Sequence, residues 1–130
     1  METDFKEKVA FVTGAGSGIG RATAIAFADR GACVMVADVN ANGGEETATK
    51  IRKNGGKAVF LNCDVGQEES VRQSLERTIK EFKRLDFAFN NAGIEGVEAV
   101  TEECTTDNWE RIIRTNLTGV WLCMKHEIPL

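Results

Sequence analysis

Short, unbroken apolar runs alternate with longer stretches of helical periodicity, and this alternation narrows the chain to one kind of architecture. Val9–Val12, Cys33–Ala37, Ala58–Leu61 and Phe87–Phe89 are strand candidates. Between the first two lies a segment from about Gly18 to Asp29, rich in Ala and stopped by Gly31, as a glycine at C′ stops a helix. A second helix is expected from about Gly44 to Lys53, broken by Asn54-Gly55-Gly56. Val71, Leu75, Ile79 and Phe82 mark one face of a third. The order is β-α-β-α-β-α-β. Strands that are apolar throughout and separated by helices form a parallel sheet covered on both faces. Right-handed crossovers make that sheet doubly wound, and the strand order expected here is 3-2-1-4.

The last segment is the most regular. Trp109, Ile112, Ile113, Asn116, Leu117, Val120, Trp121 and Met124 share one helical face, with Asn116 its one polar member. A buried amide left unpaired costs about 1–3 kcal/mol, so Asn116 is expected to have partners, whether its role is structural or chemical. Thr106 is the expected N-cap of this helix, which puts Asp107 in the first turn, where the helix dipole favours a negative charge. Glu95–Asp107 reads as a loop, with Glu95, Glu98, Glu102 and Glu103 facing solvent.

A chain of 130 residues without repeats, low-complexity tracts or linkers fits one domain, residues 1–130. Hydrophobic content of 42% and charged content of 28% suit a globular chain, and a net charge of −4 argues against a nucleic-acid surface. No apolar stretch approaches the ~18 residues of a membrane span. The start, Met1–Lys8, is mixed in charge and lacks an apolar h-region, so a cytoplasmic location is the expectation. Four widely spaced cysteines, no Cys-x-x-Cys and a single His exclude a zinc site of ordinary spacing and suit reduced thiols.

Four glycines crowd into Thr13–Gly20, directly after the first strand and at the start of the first helix. In an open α/β sheet that is where backbone N–H groups at a helix N-terminus receive an anion, and where side chains would hold a pyrophosphate away. A Walker loop is excluded, because Gly20 is followed by Arg21. G-x-G-x-x-G also fails. The spacing that fits is T-G-x-x-x-G-x-G, carried by Thr13, Gly14, Gly18 and Gly20. Asp38 ends the second strand, 18 residues past Gly20, where an acid is expected to accept from ribose hydroxyls and to repel a 2′-phosphate. No Lys or Arg occurs at positions 37–44 to offset it, which favours NAD over NADP. Asp64, after the third strand, suits an exocyclic amine; it also suits ordinary turn chemistry. With the order 3-2-1-4, the loop at Asn90-Asn91-Ala92-Gly93 should meet the glycine loop at a switch point.

Together, Thr13-Gly14-x-x-x-Gly18-x-Gly20, Asp38, Asp64-Val65, Asn90-Asn91-Ala92-Gly93 and Asn116-Leu117-x-Gly119 resemble the short-chain dehydrogenase/reductase family over nearly the whole chain. The resemblance implies a Rossmann-type, three-layer α/β/α fold. It implies a cofactor site made of Gly14, Ser17, Gly18, Ile19, Gly20, Asp38, Asp64, Val65, Asn90, Ala92, Gly93 and Ile94. Ile19 would lie near the nicotinamide end, Asp64 and Val65 near the adenine, and Ile94 would line the same pocket as the Asn-Asn-Ala-Gly turn. Asn116 would be the first catalytic residue, holding a helix irregularity and a water in a proton relay. The activity implied is NAD-dependent hydride transfer between an alcohol and a ketone, in a homo-oligomer (dimer or tetramer).

The family's Ser and Tyr-x-x-x-Lys lie downstream of the Asn helix, and this chain contains no tyrosine. His126, the one His, and Lys125 are expected to be structural or solvated and unable to replace them. The expectation is therefore that residues 1–130 are the N-terminal, cofactor-binding part of a longer enzyme, inactive alone. The alternative is a shortened, non-catalytic module for nucleotide binding or subunit association; a fragment without stable folding or binding is the third.

Overall fold

The computed structural model describes residues 4–130. Its four strands are β1 (Val9–Thr13), β2 (Cys33–Asp38), β3 (Lys57–Asn62) and β4 (Phe87–Phe89). They form one parallel sheet in the order β3-β2-β1-β4. The helices are α1 (Gly18–Asp29), α2 (Ala41–Lys53), α3 (Glu68–Phe82), α4 (Thr106–Ile113) and α5 (Gly119–Glu127).

Every residue of β1 is buried, because this strand lies inside the sheet and helices cover both of its faces. Side chains alternate across the pleat. Ala10, Val12, Val34 and Val36 pack toward Ala24 of α1 and Ala48 and Ile51 of α2. Phe11, Met35 and Ala37 pack toward Val71 and Leu75 of α3 and Leu122 and Cys123 of α5. The result is the expected Rossmann-type α/β/α sandwich with two cores. Below the sheet, the Phe5 ring lies 5.7 Å from that of Phe27 and 4.8 Å from that of Phe87, closing the end opposite the glycine loop.

Three expectations shift. Helix α2 begins at Ala41 rather than near Gly44, because the Asn40 side chain caps it by accepting from Gly43 N at 3.0 Å. Glycine is a poor helix former, yet contact requires it here: a Cβ on Gly43 would stand 2.6 Å from Gly16 O, and one on Gly44 would overlap the Phe60 ring. The N-cap of α4 is Thr105, whose Oγ1 accepts from Asn108 N, rather than Thr106. The Trp109–Met124 stripe faces outward: Trp109 is 61% exposed, Leu117 64% and Trp121 54%. The inward side of the same helix is Asn108, Gly119, Leu122, Cys123 and Glu127.

Glu127 is buried at the foot of this arrangement. Its Oε2 accepts from Asn90 Nδ2 at 2.9 Å, while Oε1 is buried without a partner among the described residues. Burial pushes its carboxyl above the usual range, with the Asn90 bond opposing. A carboxyl raised in the folded state stabilises it fully below the unfolded-state pKa, and that contribution is lost as pH rises through the folded value. Glu127→Gln keeps the acceptor for Asn90 and carries no charge. We expect it to raise the urea midpoint at pH 8 and to leave it nearly unchanged at pH 4. Equal effects at both pH values would refute the assignment.

Candidate cofactor-binding cleft

The C-terminal ends of the strands open into a cleft of about 770 Å³. It forms because β1 leads into α1 on one face of the sheet, while the chain after β4 passes to the face carrying α3 and α5. Two connections leaving in opposite directions part between β1 and β4.

Thr13 fastens the two strand ends. Its buried hydroxyl accepts from Asn91 N and Ala92 N, both at 3.0 Å. Asn91 answers through Nδ2, which donates to Thr13 O at 3.2 Å and Gly14 O at 3.4 Å. Gly14 has φ +63, and a Cβ there would come 2.9 Å from Asn91 Nδ2. Gly20 is required by closeness: a Cβ would lie 2.1 Å from Gly14 O. Side chains are thus excluded where α1 begins. Ser17 precedes α1 without capping it, so no side chain there occupies the first-turn amides. Backbone donors, a positive helix end and an opening shaped by glycine together suit a diphosphate.

Asp38 closes the loop from β2. Its Oδ2 accepts from Gly16 N and its Oδ1 from Asn40 N, both at 2.8 Å. Asp38 lines the cleft, and each of its oxygens has capacity for a further hydrogen bond. Asp64 Oδ1 accepts from Gly66 N at 2.9 Å, which fixes the turn after β3. Cys63 also lines the cleft, and burial holds its thiol above the ordinary range, which disfavours the thiolate.

Asn116 sits in a wider, π-type turn, Arg114–Thr118, that joins α4 to α5. It is exposed, contrary to the buried position expected, yet both ends of its amide are used: Nδ2 donates to Ile94 O at 2.7 Å, and Oδ1 accepts from Ile94 N at 2.8 Å. Asn108, two turns earlier and buried, does the same to Val97, donating to O and accepting from N at 2.8 Å each. Two asparagines eight residues apart thus hold the edge of the loop along the helix.

Gly14, Ser17, Gly18, Ile19, Asp38, Asp64, Val65, Ala92, Gly93 and Ile94 all line the cleft. Gly20 lies behind it as a packing residue. Asn90 also stands apart, because its amide turns to Glu127. Sequence reading missed Val39, Asn108, Arg111 and Thr115. Asn108 and Arg111 carried one available signal: each lies one or two turns before Asn116 on the same helix. His126 is not without a partner either; its Nε2 and Lys125 Nζ both reach Glu68 Oε1, at 2.9 and 2.6 Å. Among the described residues no group of three or more His, Cys, Asp or Glu is placed to hold a metal ion, and no helix is long and apolar enough to cross a membrane.

Residues 8–130 match the family model described as short chain dehydrogenase. A short chain dehydrogenase/reductase of Aspergillus oryzae is 46% identical over 93% of this chain and 47% of its own length. Cyclohexanol dehydrogenase of an Acinetobacter species is 39% identical over 99% of this chain and 51% of its own. Among solved structures, NAD+-bound xylitol dehydrogenase superposes with a TM-score of 0.91 at 35% identity, covering 95% of this chain and 48% of that one. Levodione reductase gives 0.92 at 34% identity, covering 96% and 49%. The chain spans about half the length of the relatives it matches. With a family model matched from Lys8 to Leu130, and with the Thr13–Asn91 junction, the Asp38 loop and the Asn116 turn meeting around one cleft, the chain belongs to the short-chain dehydrogenase family.

Proposed function

We propose that residues 1–130 form the cofactor-binding part of a cytoplasmic, NAD-dependent oxidoreductase that moves hydride between an alcohol and a ketone. The cleft beside the uncapped start of α1 carries this reading. NAD(H), when bound, supplies or accepts the hydride. The residues present divide the work of holding it. Gly14, Ser17 and Gly18 leave space and backbone donors for the diphosphate. Asp38 accepts from the ribose, Asp64 and Val65 border the base, and Ile19, Gly93 and Ile94 enclose the nicotinamide. Asn116 fixes Ile94, and its carbonyl oxygen retains a lone pair for a water in a proton relay. A tyrosine from chain beyond this sequence would handle the substrate proton. Four unbridged cysteines suit a reducing compartment.

The preference for NAD over NADP rests on charge. Arg21, which reaches the glycine loop beside Asp38, is not free for a 2′-phosphate, since it is engaged by Gly16 O at 2.6 Å, Thr47 Oγ1 at 2.9 Å and Glu46. Calorimetric titration should give tighter binding of NADH than of NADPH. Asp38→Ala should weaken NADH about tenfold, the size of one charged hydrogen bond, and narrow the gap between the two cofactors. Tighter binding of NADPH would overturn the preference.

A non-catalytic nucleotide-binding module is the second reading. The intact mass of the native protein separates the two. A mass about twice that of this chain is expected, in line with the roughly half coverage of its relatives; a mass equal to this chain's would select the module.

The outward stripe of Trp109, Leu117, Trp121 and Met124 supports a homo-oligomer, with a second copy covering these side chains. Trp121→Glu should shift the protein toward monomer in sedimentation while leaving NADH affinity unchanged. A wild-type monomer at micromolar concentration would contradict this.

A further inference from the structure

Glu127 is only 9% exposed, and its two oxygens are unequally used. Oε2 accepts from Asn90 Nδ2 at 2.9 Å, while Oε1 is buried with no partner among the described residues. Asn90 mirrors it: Nδ2 is engaged, and Oδ1 is buried without a partner. These are the two orphaned side-chain atoms among the described residues, and they belong to the two groups that already share a bond. A carboxyl and a carboxamide are both flat, and each carries two polar atoms on one carbon. Laid edge to edge, one bond between them brings the second pair of atoms opposite each other. With an ionised carboxylate that second pair would be two acceptors. One proton on Oε1 makes it a donor and an acceptor, and both orphaned atoms are satisfied at once.

The surroundings suit a neutral acid. No cation among the described residues is paired with Glu127: its neighbours on α5, Lys125 and His126, both turn to Glu68 of α3. The inward residues of α3 are Val71, Ser74, Leu75 and Thr78, none of them titratable. Cys123, one turn earlier on α5, is buried; burial and then the Glu127 charge push its thiol up to about 12. Cys63, which acts on Cys123, is also pushed up by burial. Burial raises the Glu127 carboxyl itself.

The pair lies where it bears on the cleft. Asn90 opens the turn after β4, and that turn is held at three places. Glu127 holds Asn90, Thr13 holds Asn91 and Ala92, and Asn116 holds Ile94. Ala92, Gly93 and Ile94 line the cleft. We propose that Glu127 holds a proton and joins Asn90 by two hydrogen bonds, donating through Oε1 to Oδ1 and accepting at Oε2 from Nδ2, and that this clamp positions the turn from Asn90 to Ile94 for the cofactor. The positioning role rests on the dinucleotide reading above; the pairing does not. The clamp is complete while the proton stays and opens as pH rises through its loss.

Infrared difference spectra of the whole native protein, parent minus Glu127→Gln, read the proton. At pH 6, where ordinary carboxyls are ionised, the parent should show the carbonyl stretch of a protonated acid, and Asn90→Ala should move that band. A carboxylate signal in its place, or a band that Asn90→Ala leaves unmoved, overturns the pairing. Calorimetry with NADH reads the positioning. Parent affinity should fall about three- to tenfold as pH rises through the loss of the acid band, the size of one hydrogen bond. Glu127→Gln, whose amide makes both bonds at any pH, should match the parent at low pH and keep that affinity as pH rises. Glu127→Ala should bind at the weaker level throughout. The same fall with pH in Glu127→Gln as in the parent overturns the positioning role. A parent protein that binds no NADH at any pH overturns the dinucleotide reading and the positioning role with it, and the acid band then decides the pairing by itself.

Discussion

The hydroxyl of Thr13 is the joint on which the rest of the site depends. It sits at the end of the innermost strand and accepts two backbone N–H groups from the Asn91-Ala92 turn. Strand β4 has only three residues and pairs only with β1 among the described residues, so its ladder alone does little to fix the loop that follows. The bonds from Thr13, and those returned by Asn91, make the two strand ends one rigid unit. Gly14, Gly93 and Ile94 are thereby held on opposite lips of the cleft. A Val at position 13 would fill the same space but remove the acceptor of Ala92 N and one of the two acceptors of Asn91 N, which also reaches Phe89 O.

From that joint the site extends in two directions by the same device, in which a polar side chain replaces missing backbone pairing. Asp38 ties the glycine loop to β2 through Gly16 N. Asn116 and Asn108 tie the loop after β4 to the long helix through Ile94 and Val97. Each device uses both polar ends of a short side chain, which fixes direction as well as distance. The wider turn at Arg114–Thr118 lies where Asn116 makes its contact, which aligns the amide with the Ile94 backbone.

The layered fold was legible because it rests on patterns a sequence displays directly. Continuous apolar runs such as Val9–Val12 mark strands buried on both faces, and Val71, Leu75 and Phe82 carry a helical period. The glycine spacing was legible for a steric reason, since contacts as close as that of Gly20 with Gly14 O permit no other residue. The start of α2 was not, because the propensity of Gly43 and Gly44 points away from a helix and only packing against Gly16 and Phe60 reverses it. Asn116 was expected in a core because its neighbours in the stripe are apolar; yet periodicity identifies a face without saying whether that face turns to the sheet or away from it.

By itself, the sequence determined the order of elements, the parallel sheet, the glycine loop and the acids that follow β2 and β3, all of which depend on local spacing and side-chain size. Tertiary structure decided which side of the last helix is covered, that Asn90 turns to Glu127 while Asn91 braces the cleft, and that Val39 and Arg111 line the same cleft. Those outcomes depend on contacts between residues up to 78 positions apart. Spacing along a chain carries no record of such contacts until the sheet has brought the strands together.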